Sequence, residues 1–226
     1  MNWDIGLSAG PGGFGVAISL AEGQTHLLGI FPTVARCVTS AFNAAPSRQP
    51  RRVVLVHPTG ISVQQLGRYV GDLAAAGFDP DRVELRSDID VLESTIVPRA
   101  LLIDADRDLL VGRLLRTAPF DADTLSRHVA DDPVHTRVFL TGHPEVRDRY
   151  LVADRYLVAG RDFAPQIVER PAFAALALDT PTTTSIMSTP RLGSSLMLGP
   201  RRAWPLLITM AIAVIIVVGW TVLFLT

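Results

Sequence analysis

The sequence predicts an α/β fold in which one order of elements is written twice and then joined to a membrane-crossing helix. Three observations carry this expectation. Short apolar runs bounded by Gly, Pro and Asp recur along residues 3–31 and again along 99–115. Each set leads into alternating strand and helix patterns, over 52–85 and over 121–178. Last, residues 203–226 read AWPLLITMAIAVIIVVGWTVLFLT, without one charged residue. The predicted divisions are a first half at 1–98, a shorter second half at 99–179, a linker at 180–200 and an anchor at 203–226.

The apolar run sets the cellular context. At about 1.5 Å per residue it reaches roughly 36 Å, enough for a hydrocarbon core of about 30 Å. Trp204 and Trp220 suit the two interfacial belts, and Arg191, Arg201 and Arg202 lie on the N-terminal flank. The lipid bilayer is thus the expected partner of 203–226. The chain is expected to be single-pass in the inner (plasma) membrane with its N-terminal domain cytoplasmic. Met1-Asn2-Trp3-Asp4 has no basic n-region and does not read as a signal peptide. Residues 180–200, rich in Thr, Ser and Pro without a period, read as a flexible tether, with a phosphorylated regulatory segment as the alternative.

Composition excludes several chemistries. The formal net charge of -1 gives no long-range pull toward nucleic acid, so no nucleic-acid partner is expected. All 21 basic residues are Arg. Without Lys there is no phosphate-loop lysine, no Schiff base and no catalytic ammonium. The single Cys37 sits in an apolar context and reads as buried packing in a reducing compartment. The five histidines show no metal-ligand spacing, so no metal site is expected.

Taken in order, residues 3–9, 14–20 and 25–31 read as three meandering strands, the first two joined through Gly10-Pro11-Gly12-Gly13. A short apolar segment follows Phe31-Pro32-Thr33-Val34. Residues 43–51 are a polar connector, and Arg52 to His57 is a buried strand. A helix opens at Gly60 and Ser62 and stops at Gly77. Arg82 to Leu85 is the next strand. In the second half, Ala100–Ile103 is a strand, 104–108 a tight turn, and 109–115 the returning strand. Asp121 caps a helix to Ala130. A strand at 137–140 and a helix from about 144 follow, and after Tyr156-Leu157-Val158-Ala159 comes a last helix over 165–178.

Two motifs invite chemistry. Gly10 to Gly15 matches G-x-G-x-x-G, but a strand follows it rather than the helix that a dinucleotide fingerprint needs. It reads as a hairpin turn whose backbone N–H groups can cradle phosphate. Ala100-Leu-Leu-Ile-Asp104-Ala-Asp106 resembles the nucleophile motif of haloacid-dehalogenase-type phosphatases. That resemblance implies Asp104 as nucleophile, Asp106 as general acid and a Mg2+ ion. The motif's Lys and its later pair of acidic residues are absent from this sequence.

A broader resemblance spans residues 3–178. The duplicated order, with a hairpin in each copy, resembles the ribonuclease-H-like fold of the actin and DnaK-type chaperone ATPases. Ile5 to Gly12 is similar to that family's first phosphate turn, and Val53 to Pro58 to its connecting strand. Asp104 to Asp108 falls on the second phosphate hairpin, Val138 to His143 on the adenosine strand, and Pro171 to Leu178 on the last connecting helix. The resemblance implies ATP and Mg as cofactors, with Ser8, Gly10, Gly12, Gly13 and Asp104 near the phosphates and Gly142 near adenine. The departures imply weak chemistry. Ser8 replaces the family's carboxylate, Asp106, Arg107 and Asp108 replace glycines, and His143 replaces another. No catalytic residue is assigned, and a pseudo-ATPase scaffold is expected, with a nucleotide switch as the alternative. The Arg-only composition and the Ile5 to Gly12 start are also similar to actinobacterial type VII secretion-associated membrane proteins. That likeness implies a protein partner in a membrane complex.

Overall fold

Alternation along the first strand divides the molecule into layers. A computed structural model describes residues 2–20, 23–45, 49–151, 157–158, 161–162 and 165–179. The first meander is β1 (Trp3–Gly10), β2 (Gly13–Leu20) and β3 (Thr25–Phe31), all antiparallel. The short apolar segment expected next is instead α1 (Val34–Ala44). Thr33 caps it by accepting from the Arg36 N–H, and buried Val34, Cys37, Val38 and Ala41 recur at helical spacing. β4 (Arg52–His57) runs parallel to β1. α2 (Val63–Ala75) starts at the expected cap, Ser62, and ends before Gly77, whose φ of +94° only glycine adopts without strain. β5 (Val83–Ser87) lies parallel to β4, and Ser87 caps α3 (Asp88–Thr95), a helix the sequence reading did not anticipate.

The second half repeats the first. β6 (Arg99–Asp104), β7 (Leu109–Gly112) and β8 (Arg116–Pro119) form another antiparallel meander. The returning strand expected over 109–115 is therefore two strands. Its chain reverses at 113–115, and Arg116 adopts φ +61° at the turn's end. α4 (Ala122–Asp131) is capped by Asp121 as expected, and β9 (Thr136–Thr141) lies parallel to β6. α5 (Pro144–Arg147) is a single turn. β10 (Leu157–Val158) and β11 (Arg161–Asp162) pair with each other, and β12 (Gln166–Ile167) pairs parallel with β9. The last helix, α6 (Arg170–Asp179), begins five residues later than the pattern predicts, because β12 occupies part of that span.

The two five-stranded sheets have orders β3-β2-β1-β4-β5 and β8-β7-β6-β9-β12. Directions match strand for strand, so the shorter second half keeps a five-stranded sheet. Its last strand, β12, is two residues long and carries too little periodicity to read from the sequence. Both halves fall within one compact unit, Met1–Thr182. The predicted tether at 180–200 and anchor at 203–226 lie outside the described residues. Among the described residues no helix is long and apolar enough to cross a membrane.

Five layers result. Trp3, Ile5, Leu7 and Ala9 face α1 and α2 with Phe14, Val16, Val53 and Leu55. The opposite face of that sheet gives Ala17, Val54 and Val56 to a central core shared with α3, α6 and the inner face of the second sheet. Leu101, Ile103, Val138 and Leu140 pack outward against Leu125 and Val129 of α4. α6 thus belongs to the second half by sequence yet lies on the first sheet. It comes unusually close. A β-carbon built on Gly6 would overlap the Ala174 carbonyl oxygen, and one on Gly15 would overlap the backbone of Arg170. Ala17 stands opposite Gly6, and Ser8 opposite Gly15, so the sheet offers α6 a lane of small residues. Arg52 fixes the helix's other end, donating to the Ala177 and Leu178 carbonyls at 3.5 and 3.3 Å while also bonding Glu84 at 2.9 Å. Burial alone would raise the Glu84 carboxyl, but Arg52 and Arg86 outweigh it and hold it below its ordinary value.

The lane predicts a steric penalty. Gly15→Ala, whose β-carbon meets backbone rather than a movable side chain, should destabilise the domain by about 2 kcal/mol or more. Gly71→Ala, with open space around it on α2, should not destabilise. Urea denaturation of the two variants checks this.

Candidate functional site

The C-terminal ends of β1 and β6, the turns after them and the loop after β9 converge beneath the first turn of α6. Asp104 ends β6, pairs in register with Thr141, and is fully buried. Its Oδ2 accepts from Arg107 Nε at 2.7 Å and lies 3.7 Å from Arg170 Nη2. Arg170 Nη2 also lies 4.0 Å from Asp106 Oδ2. Asp106 Oδ1 accepts from the His143 backbone N–H at 2.7 Å, tying the 104–108 turn to the loop after β9. Arg107 Nη1 donates to the Thr59 carbonyl at 2.9 Å, tying the same turn to the loop after β4. Tyr150 donates its hydroxyl to Asp108 Oδ1 at 2.5 Å.

A buried carboxyl the sequence reading overlooked joins this cluster. Asp88, first residue of α3, is fully buried, and its Oδ1 accepts from the Thr59 N–H and hydroxyl and from the Ile89 N–H. Burial pushes its pKa up. Hydrogen bonds from Thr59 and the charge of Arg170 oppose that push, and the charge of Asp104 adds to it.

The sequence-predicted residues divide into those the fold assembles and those it does not. Gly10, Asp104 and Gly142 come together, and Gly12 lies next to His143. A β-carbon on Gly142 would come within 2.9 Å of Ala105 Cβ and 3.2 Å of Asp106 Oδ1, so this glycine (φ +138°) lets the loop close on the acidic turn. Gly13 does not face the cluster. It turns the hairpin with φ +120°, and a β-carbon there would meet the Phe31 carbonyl oxygen. Ser8 lies one pleat behind Gly10, buried on the lane under α6, with no hydrogen-bond partner for its Oγ among the described residues. Asp4, at the far end of β1, is held by Arg51 through bonds of 3.1 and 2.8 Å.

Arg170 is the decisive residue, and the sequence reading passed over it. A β-carbon on Gly10 would overlap its Nε and come within 2.9 Å of its Nη2. The guanidinium therefore lies flat on the glycine hairpin of the first half while facing Asp104 and Asp106 of the second. Its signal was a charged residue opening a helix that is apolar up to its last residue, RPAFAALALD.

These residues do not fit a Mg-nucleotide in this arrangement. The face of Gly10 that backbone cradling would use is covered by Arg170, and Asp104 is engaged by two guanidinium groups. Asp106, Arg107 and Asp108 replace the open glycine backbone of a phosphate hairpin with side chains already bonded elsewhere. Among the described residues no three His, Cys, Asp or Glu side chains are grouped to hold a metal ion.

Comparison with known proteins adds fold-level likeness. No protein-family model matches the sequence, and no curated protein does. A Bacteroides thetaiotaomicron protein with actin-like ATPase fold and unknown function aligns over 74% of this chain and 90% of its own, at 7% identity and a TM-score of 0.39. The ROK hexokinase of Thermus thermophilus aligns over 77% and 97%, at 15% identity and 0.41. The inorganic polyphosphate/ATP-glucomannokinase of Arthrobacter sp. strain KM aligns over 78% and 97%, at 15% identity and 0.42. At such scores the strand order of the two sheets, rather than the likeness, carries the fold.

Two outcomes follow. Arg170→Met keeps the volume of the stem but leaves Asp104 and Asp106 short of a buried counter-charge, and should cost about 3 kcal/mol in equilibrium unfolding. For Asp88 the folded pKa lies above the ordinary 3.8. The folded state therefore holds its proton longer than the unfolded chain does. The associated stability is complete below the ordinary pKa and is lost as pH rises toward the folded value. Asp88→Asn should remove that loss, gaining on the parent as pH rises through this window. Unfolding curves across the acid-to-neutral range check the slope.

Proposed function

We propose that this chain is a membrane-anchored scaffold that keeps the two-sheet architecture of the actin-like ATPases but not their nucleotide chemistry. The observation that carries this reading is Arg170, seated between the glycine hairpin and the acidic turn. In this reading the cluster is a structural clasp. Arg170 pairs with Asp104 and Asp106 while covering Gly10, and Arg107 reaches the Thr59 carbonyl, so the halves are joined where a hinged ATPase needs an open cleft. The phosphatase reading has less support, because Asp104 as nucleophile needs an open line of attack and is fully buried under guanidinium groups.

The sequence supports the rest of the proposal. Residues 203–226 hold the domain at the inner membrane, and 180–200 tether it. The similarity to type VII secretion-associated membrane proteins supports a protein of a secretion or envelope complex as the partner. The domain offers that partner a rigid surface rather than a catalytic cycle.

Thermal unfolding of the full chain in detergent, with and without ATP and Mg2+, tests the reading. The scaffold predicts no shift at millimolar nucleotide. A ligand at about 100-fold over Kd would raise stability by roughly 2.7 kcal/mol, and such a rise would replace the scaffold with a nucleotide switch. Extraction of the membranes at alkaline pH should leave the chain in the pellet.

A further inference from the structure

The end of the second sheet that points away from the cleft carries apolar side chains that the core does not cover. α3 and α6 both begin at the cleft, at Asp88 and Arg170, and run away from it. Ile96, the start of β6 and Asp179 therefore lie at the far end. The β7–β8 hairpin turns over at that end too, since Gly112 pairs with Leu101 near the start of β6. Its tip reads Arg113-Leu114-Leu115-Arg116. Leu114 is 86% exposed, and Ile96 and Val134, in the loops entering β6 and β9, are exposed as well. The Arg113 side chain is 74% exposed, and Glu93 lies 3.5 Å from it. Behind the tip an open cavity of about 240 Å³ is lined by Pro98, Arg99, Leu101, Arg113, Leu114 and His128.

We propose that this end faces the membrane, with the 113–116 tip seated in the anionic headgroups and Leu114 inserted beyond them. The inference rests on the reading of 203–226 as the anchor. Two features favour a bilayer over a protein partner. The tip is a protruding Leu flanked by two cations, which matches an interface of anionic headgroups over hydrocarbon. In addition, the chain leaves α6 at this same end, and residues 180–202 alone separate Asp179 from the apolar run.

The test uses the full chain in vesicles of phosphatidylcholine and phosphatidylglycerol. Leu114→Cys carries an environment-sensitive fluorophore, and Ala35→Cys, exposed on α1 of the outer layer, is the control. Cys37 is buried and its thiol is pushed up to about 12, so it stays unlabelled. The Leu114 label should shift to the blue and be quenched by nitroxides at headgroup depth, while the Ala35 label stays in water. The added changes Arg113→Glu and Arg116→Glu should abolish the shift. A chain that resists alkaline extraction but keeps its Leu114 label in water overturns the membrane-facing tip and leaves the anchor standing. A chain released by alkali overturns the anchor and this inference with it.

Discussion

The distance at which α6 lies on the first sheet governs the organisation of this molecule. The helix backbone rests where β-carbons would otherwise stand at Gly6 and Gly15, and its first side chain covers Gly10. Such close contact buries Phe173, Ala174 and Ala177 completely against both halves. It also brings the Arg170 guanidinium within reach of two carboxylates from the other sheet. A larger residue anywhere along the lane would lift the helix and separate those charges together.

The charge cluster would be costly without that geometry. A guanidinium and three carboxyl groups removed from water lose several kcal/mol each unless they are paired. Here the pairing is partial, since Asp104 Oδ1, Asp88 Oδ2 and both terminal nitrogens of Arg170 make no hydrogen bond among the described residues. Arg107 and Arg170 converge on Asp104, while Asp106 and Asp88 are fixed largely by backbone N–H groups and the Thr59 hydroxyl. Three loops from separate strands are tied to one another by these bonds. A cleft that must open and close around a substrate needs few bonds across it. This one is crossed by the Arg107–Thr59 bond and by the ion pairs of Arg170, whose helix lies on the first sheet.

The same helix gives the fold a polarity. Its N-terminus ends in the clasp, and its C-terminus is held by Arg52, with Thr25 donating to Asp179 at 3.2 Å. The chain therefore departs on the side away from the clasp, where Leu114, Ile96 and Val134 are exposed.

Much of the fold was legible in the sequence because it depends on local patterns. Alternation in 3–20 gave the meander, Ser62 and Gly77 bracketed α2, and Asp121 marked α4, each through a capping or periodic rule that acts over a few residues. α3 and β12 were not legible, since eight residues with mixed charge and two residues of strand hold no clear period. The glycines of the first hairpin were visible but their purpose was not. Read alone they suggest room for phosphate; in the structure Gly6, Gly10 and Gly15 leave room for a helix that arrives some 155 residues later. The amino-acid sequence by itself determined most of the elements, the duplication and the uncharged run at 203–226. Only the tertiary structure decided what fills the space between the hairpins, because Arg170 meets Gly10, Asp104 and Asp106 through packing between distant segments, and no local rule records such a meeting.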